Sequence, residues 1–252
     1  MDGKYGKYLS LCYDVLNKDI DYGKWADFYE NCFEKFARIK IEKICEMACG
    51  TGSLSIEMRK RGYAVTAFDL SEQMLTLADK KTYDNNVSGI MFTLQDMCNF
   101  RVYSTVQSVI CMMDGINCLL DTASVSQALK SAYSALDVGG LLIFDVNSGY
   151  KYENIYSDNA YVLEDEKVLL AWQNYYNKKS KLCDLYLTFF LEEHDGRYTR
   201  VDEQIRQRYY SEKTIRKLIK NEGFYIDDVF ADIDFTQVDA NKCERLIFVC
   251  RK

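Results

Sequence analysis

The sequence predicts an α/β protein with a doubly wound, mostly parallel seven-stranded sheet and an inserted antiparallel β meander. Three observations predict it. Through residues 39–149, short apolar runs alternate with longer amphipathic stretches, which gives right-handed βαβ crossovers and helices on both faces of a parallel sheet. From about 150 to 210 the periodicity changes to two, as a half-buried antiparallel sheet requires. Beyond 210 a capped helix and two more apolar runs restore the first pattern.

Taken in order, residues 5–37 place Tyr13, Leu16, Trp25, Phe28, Tyr29, Cys32, Phe33 and Phe36 at helical spacing, giving two helices joined near Lys18-Asp19. An apolar run then ends in Gly50-Thr51-Gly52 and leads into a helix over 53–61 that stops at Gly62. Residues 63–68 form the next strand, ending at Asp69. Ser71 caps a helix reaching about Lys81. Strands follow over 90–94 and 106–112, then a helix over 121–136, then a strand over 141–144 introduced by Gly139-Gly140 and ending at Asp145. In the meander, Cys183, Leu185, Leu187, Phe189 and Leu191 share one face, with turns at 177–180 and at Asp195-Gly196. Ser211 caps the last helix, and strands near 224–230 and 245–250 complete the sheet.

Composition narrows the chemistry. The chain of 252 residues has 10 Cys, 1 His and no Pro, where a chain of this length carries roughly a dozen prolines. Pro-rich linkers are excluded, and the single His194 excludes any metal site built on two histidines; no metal is expected. None of the cysteines forms a CxxC pair, and many lie in apolar runs, where a free thiol acts as a small hydrophobe. With neither a signal peptide nor a membrane span legible, the expected setting is the cytoplasm. A net charge of −6 makes nucleic acid an unfavoured partner.

The most specific segment is 46–52, Glu-Met-Ala-Cys-Gly-Thr-Gly, followed 17 residues after Gly52 by Asp69 at a strand end. A glycine turn lets a ligand approach the backbone, and a carboxylate at that spacing can take ribose hydroxyls. The third glycine of a dinucleotide fingerprint is missing, as is the lysine of a Walker loop.

On Glu46 to Gly52, Phe68-Asp69-Leu70-Ser71 with Met74, Gln95-Asp96-Met97 and Asp137-Val138-Gly139-Gly140, the chain resembles class I S-adenosylmethionine-dependent methyltransferases of a bacterial small-molecule type. The family begins acidic-x-Gly-x-Gly-x-Gly, and Ala48 stands here at the first glycine. The resemblance implies a Rossmann-like fold and S-adenosylmethionine as cofactor. Glu46 would organise the turn toward the methionine amino group, with Ala48, Gly50 and Gly52 bringing the backbone to the ligand. Asp69 would take the ribose hydroxyls; Leu70 and Met74 would pack near the adenine; Asp96 with Met97 would hold its amine and face. Met112 or Met113 would floor the sulfonium site, with core packing as the alternative for both. Tyr13, in a segment similar to the family's N-terminal cover, would close over the methionine end.

Methyl transfer is an in-line displacement, so alignment dominates and a base is optional. Asp114, just past the fourth strand with Asn117 nearby, is the best-placed group to meet an acceptor and the one catalytic candidate; a plain loop carboxylate is the alternative. The expected division is a cofactor-binding unit of 1–149 and 211–252, including an N-terminal cover over 1–38, with 150–210 as a lid or acceptor subdomain, or equally a dimer surface. The leading expectation is methylation of a small molecule by a monomer or homodimer. RNA or protein methylation and a non-catalytic cofactor-binding module are the competing ones. Without proline, the Asn-Pro-Pro-Tyr-like tetrapeptide of base and glutamine methylation cannot follow the fourth strand.

Overall fold

The computed structural model describes residues 7–165, 167–239 and 242–252; positions 5 and 6 of the predicted first helix lie outside them. Two helices open the chain, α1 (Lys7–Leu16) and α2 (Tyr22–Phe36). Asp21 starts α2 by accepting the Lys24 N–H at 3.0 Å, so one of the helix's open donors is satisfied. Next come β1 (Lys43–Met47), α3 (Ser53–Lys60), β2 (Ala64–Asp69), α4 (Glu72–Asp84), β3 (Ile90–Leu94), β4 (Val106–Cys111), α5 (Thr122–Ala135) and β5 (Leu136–Asn147). Ser71 and Asp121 cap α4 and α5 through the N–H groups of Met74 and Ser124. The insertion contributes β6 (Ala160–Asp165), β7 (Val168–Asn177), β8 (Leu182–Glu192) and β9 (Tyr198–Arg208); α6 (Glu212–Asn221), β10 (Tyr225–Phe230) and β11 (Arg245–Arg251) follow.

The main sheet runs β3-β2-β1-β4-β5-β11-β10, parallel from β3 to β5, with β11 antiparallel to both of its neighbours. Neighbouring residues of one strand serve opposite cores. Cys45, Leu142, Phe144 and Phe248 pack with Val125 and Leu129 of α5 and Ile215 of α6, while Ile44, Ile143 and Val249 pack with Phe28 and Tyr29 of α2 and Leu54 of α3. The chain winds outward from β1 to β3, then returns to lay β4 on the other side of β1. That reversal opens a crevice beyond the carboxyl ends of β1 and β4, the place where such sheets take ligands.

The fifth strand starts earlier than the sequence indicated. Its first residues pair Leu136 with Val106, a register shift follows, and regular pairing resumes at Leu141 with Ser108. Gly140 is required in the shifted stretch, because a side chain there would sit 2.6 Å from the Gln107 carbonyl oxygen.

In the second sheet, β6-β7-β8-β9 are antiparallel, and Cys183, Leu185, Leu187 and Phe189 are buried as the period-2 pattern predicts. This face covers a π-helical turn (Lys151–Tyr156) and Leu9 and Cys12 of α1. Strand β6 and the π turn were not foreseen; most of β6 is exposed, so no clear alternation marks it. Glu203 of β9 accepts the N–H groups of Tyr8 and Leu9 at 2.8 and 3.3 Å, and Lys18 pairs with Asp165. Helix α1 is therefore tied to the second sheet. Among the described residues no helix is long and apolar enough to cross a membrane.

Candidate active site

The turn after β1 is built on left-handed backbone, with φ of +52° at Ala48, +53° at Gly50 and +71° at Gly52. Ala48 bears this conformation with a side chain, at a cost of about 1–2 kcal/mol. Room for its methyl comes from Gly115, whose own Cβ would lie 3.2 Å from that of Ala48 and 2.9 Å from Cys111 Sγ. Gly52 serves packing, because a Cβ there would meet Phe92 at 2.9 Å and Ala78 at 3.0 Å. At Gly50 the nearest side chain is Tyr13, with ring atoms 3.8 and 4.0 Å from the missing Cβ position.

A cavity of about 340 Å³ lies over this turn. Of the predicted residues, Tyr13, Ala48, Gly50, Asp69, Leu70, Asp96, Met97 and Met112 line it. Glu46 does not, but lines a smaller adjoining cavity with Tyr13, Tyr22 and Met112. Gly52 and Met74 line neither: Gly52 meets α4 and β3, and Met74 is fully buried in α4. Asp114 also lies off both linings. His194 is exposed in the β8–β9 turn.

Asp69 is 5% exposed. One carboxylate oxygen accepts the Gly50 N–H and the other the Ser71 N–H, each at 2.9 Å. Each oxygen keeps a second lone pair for a ligand hydroxyl. Burial raises its pKa, and these backbone donors oppose the shift. Asp96 is exposed, and its Oδ1 accepts the Cys98 N–H at 2.8 Å, fixing the loop that carries Met97.

Glu46, at 2% exposure, accepts a hydrogen bond from Ser55. Burial pushes its pKa up to about 8, with Asp69 adding to the rise and Ser55 opposing it. A buried carboxyl of this kind favours a ligand that brings a positive charge. Tyr13 and Tyr22 stand over the same small cavity.

Past β4 the chain again turns left-handed, at Met113 (φ +58°) and Asp114 (φ +60°). Two consecutive non-glycine residues in this region store strain of a few kcal/mol, a feature that clusters at functional sites. One oxygen of Asp114 accepts from Asn147 Nδ2 at 3.1 Å and from Gln207 Nε2. The other oxygen has no hydrogen-bond partner among the described residues. Gln207 in turn accepts from Tyr152 Oη at 3.0 Å, so the insertion orients this carboxylate. The Asp114 N–H points to Asp145 at 3.2 Å, and Asp145 pairs with Arg245 at 3.1 Å. Asn117 has a structural place: its Oδ1 accepts the Asn147 N–H and its Nδ2 donates to the Arg208 carbonyl, each at 2.8 Å.

Sequence reasoning missed Asn147, Gln207, Tyr152 and Arg245. The available signals were the polar residues at strand ends, Asn147 closing β5 and Arg245 opening β11, but the pairing of these two strands across about 100 residues has no local mark.

A family described as a methyltransferase domain matches residues 44–140. A Geobacillus sp. (strain WCH70) protein is 33% identical over 95% of this chain and 96% of its own length. Bacillus subtilis YqeM is 30% identical over 95% and 94%. Both carry a provisional methyltransferase name. The solved S-adenosylmethionine-dependent methyltransferase of Clostridium acetobutylicum superposes with a TM-score of 0.85, at 27% identity over 97% of each chain. The chain is a class I S-adenosylmethionine-dependent methyltransferase. An amino pentose methyltransferase of Micromonospora echinaspora, solved with S-adenosylmethionine bound, shares the methyltransferase fold over 100% of each chain, with a TM-score of 0.74 at 16% identity.

The methyltransferase's own residues fit the cofactor. The fit rests on a buried Glu46 whose charged form a ligand cation would favour, an Asp69 with free lone pairs, and a glycine turn at the sheet's switch point.

Proposed function

We propose that the chain methylates a small molecule on nitrogen or oxygen, with Asp114 meeting the acceptor. The observation that carries this reading is a pair of hydrogen-bond acceptors lacking donors at one strained corner: the second oxygen of Asp114 and the Oδ1 of Asn147, which is fully buried. A buried acceptor without a donor costs about 1–3 kcal/mol, and an N–H or O–H of the methyl acceptor relieves it. Asp114 then aligns the nucleophile and takes its proton as the new bond to carbon forms.

Bound S-adenosylmethionine supplies the methyl group on a positively charged sulfur. In this reading Glu46 holds the cofactor's ammonium end, Asp69 its ribose, Leu70 and Met97 its adenine, and Ala48, Gly50 and Met112 the walls around the sulfur. Tyr13 closes the methionine end, and Asp96 holds the adenine amine from the rim. Gly52 and Met74 support these contacts from behind, by packing. The insertion, with α1 tied to it, acts as the lid of the acceptor side, and this enclosed corner with a net charge of −6 favours small molecules over nucleic acid.

Incubation with S-adenosylmethionine and a fractionated metabolite pool tests the reading. Release of S-adenosylhomocysteine with a small-molecule fraction, lost in Asp114→Asn, is the expected result. Release only with RNA or protein fractions would replace the small-molecule assignment.

A further inference from the structure

Beside Asp114, the fold seats two cations on aromatic faces and leaves most of their hydrogen-bond donors uncommitted. Arg245 centres its guanidinium 5.4 Å from the Trp25 ring and donates once, from Nη1 to Asp145 at 3.1 Å. Four of its five N–H donors stay free among the described residues. Lys151 holds its ammonium 5.2 Å from the Tyr156 ring and has no hydrogen bond or ion pair among the described residues. A ring face positions a cation without consuming its donors.

The two are brought together by backbone stitching. Ser148 donates its N–H to Glu244 O at 2.9 Å and its hydroxyl to Cys243 O at 2.5 Å, and the Lys151 N–H donates to Ser148 Oγ at 3.1 Å. The turn carrying Lys151 is thereby fastened to the residues just before Arg245. Asp145 joins Arg245 to the Asp114 N–H. Asp114 makes no contact ion pair with Lys151; two amides hold one of its oxygens, and its backbone sits in the left-handed corner. Burial lowers the Lys151 pKa, with Asp114 pulling the other way, so its charge lacks a contacting partner in a desolvated place. Arg245 and Trp25 also line a second cavity of about 660 Å³, whose walls include Asp232, Asp239 and Glu244 but not Lys151, so that cavity itself does not favour an anion.

We propose that Lys151 and Arg245 form a subsite for an anionic oxygen group, a carboxylate or a phosphate, on the methyl acceptor. The acceptor is then a small molecule with an anion at one end and a nucleophilic N–H or O–H at the other. Its nucleophilic end rests on the Asp114 reading above; the anion subsite stands without it.

The full-length protein, saturated with S-adenosylhomocysteine, is titrated with acetate and, separately, with inorganic phosphate, and binding is followed by NMR shifts. Expected is saturable binding of one or both in roughly the millimolar range, weakened at least about tenfold in Lys151→Met, which keeps the apolar stem on Tyr156. Arg245→Lys, which keeps the charge and loses the planar fork, is expected to weaken binding as well. Lys178→Met, at an exposed lysine paired with Glu153 in the same insertion, is the control and leaves binding unchanged. The stronger arm identifies carboxylate or phosphate. Equal affinity in wild type and Lys151→Met, or no saturation with either anion, overturns the subsite. Anion binding as expected, with methylation indifferent to Asp114→Asn, would remove the Asp114 reading and leave the subsite standing.

Discussion

Raising the pH from about 6 to about 8 is expected to tighten cofactor binding while the free protein loses stability, and both trends trace to Glu46. In the folded chain its carboxyl is buried and keeps its proton up to a pKa of about 8, against 4.5 for the ordinary group. Between those values the folded state holds a proton that the unfolded chain has released. Stability therefore falls as pH rises through this window and levels off above about 8. At about 1.4 kcal/mol per pH unit, the gap amounts to about 5 kcal/mol over the whole window. A ligand ammonium next to Glu46 reverses the preference and draws the proton off. Calorimetry near pH 7 in two buffers of different ionisation enthalpy is expected to show release of close to one proton per cofactor bound, with affinity rising by up to about tenfold per pH unit below the pKa. In Glu46→Gln the proton release disappears and the stability profile flattens between about pH 5 and 8. A pH-independent affinity with no buffer-dependent enthalpy in the wild type would refute the placement of Glu46 against the cofactor's positive end.

Further outcomes follow from the same geometry. Asp69→Ala is expected to keep the fold by circular dichroism and to lose on the order of a hundredfold in S-adenosylmethionine affinity, from two charge-assisted bonds to the ribose; unchanged affinity would remove that assignment. Gly52→Ala must place a methyl 2.9 Å from Phe92 on left-handed backbone, and thermal denaturation is expected to report a loss of about 2 kcal/mol or more. Ala48→Gly relaxes a φ of +52° and is expected to raise the melting temperature by about 2–4 °C, the scale of about 1 kcal/mol in a chain of this size. Glu203→Ala leaves two N–H groups at the start of α1 without their acceptor, and limited proteolysis is expected to cut near the N-terminus faster than in wild type.

Much of the sheet was legible because its signals are local. Ser71 and Ser211 sit at helix starts, the apolar runs have the right lengths, and alternation in β8 assigns Cys183, Leu185, Leu187 and Phe189 to one face. The glycine turn and its carboxylate were legible for a related reason, since Gly50 and Asp69 belong to one βαβ unit and their spacing is set by one helix and one strand. What escaped were features of long reach or weak pattern. Strand β6 is mostly exposed and alternates poorly. The left-handed backbone of Met113 and Asp114 occurs at residues that do not announce it. Gln207 meets Asp114 across 93 positions, and sequence spacing carries no trace of such a contact. Gly52 looked like a ligand-facing glycine, whereas the packing of α4 and β3 accounts for it.

The tie between Glu203 and the first helix also governs how the protein is made. Tyr8 waits for a partner 195 positions further along, so at 5–20 residues per second the ribosome needs roughly 10–40 s to deliver it. By then β1 to β5 have all been made, and Asp14 can already hold α1 to the turn after β1 through Thr51 Oγ1 at 2.6 Å and to α4 through Lys81 at 2.7 Å. A nascent chain stalled before residue 203 would thus carry α1 on its crevice contacts alone, and the second sheet would be the last partner that this helix gains.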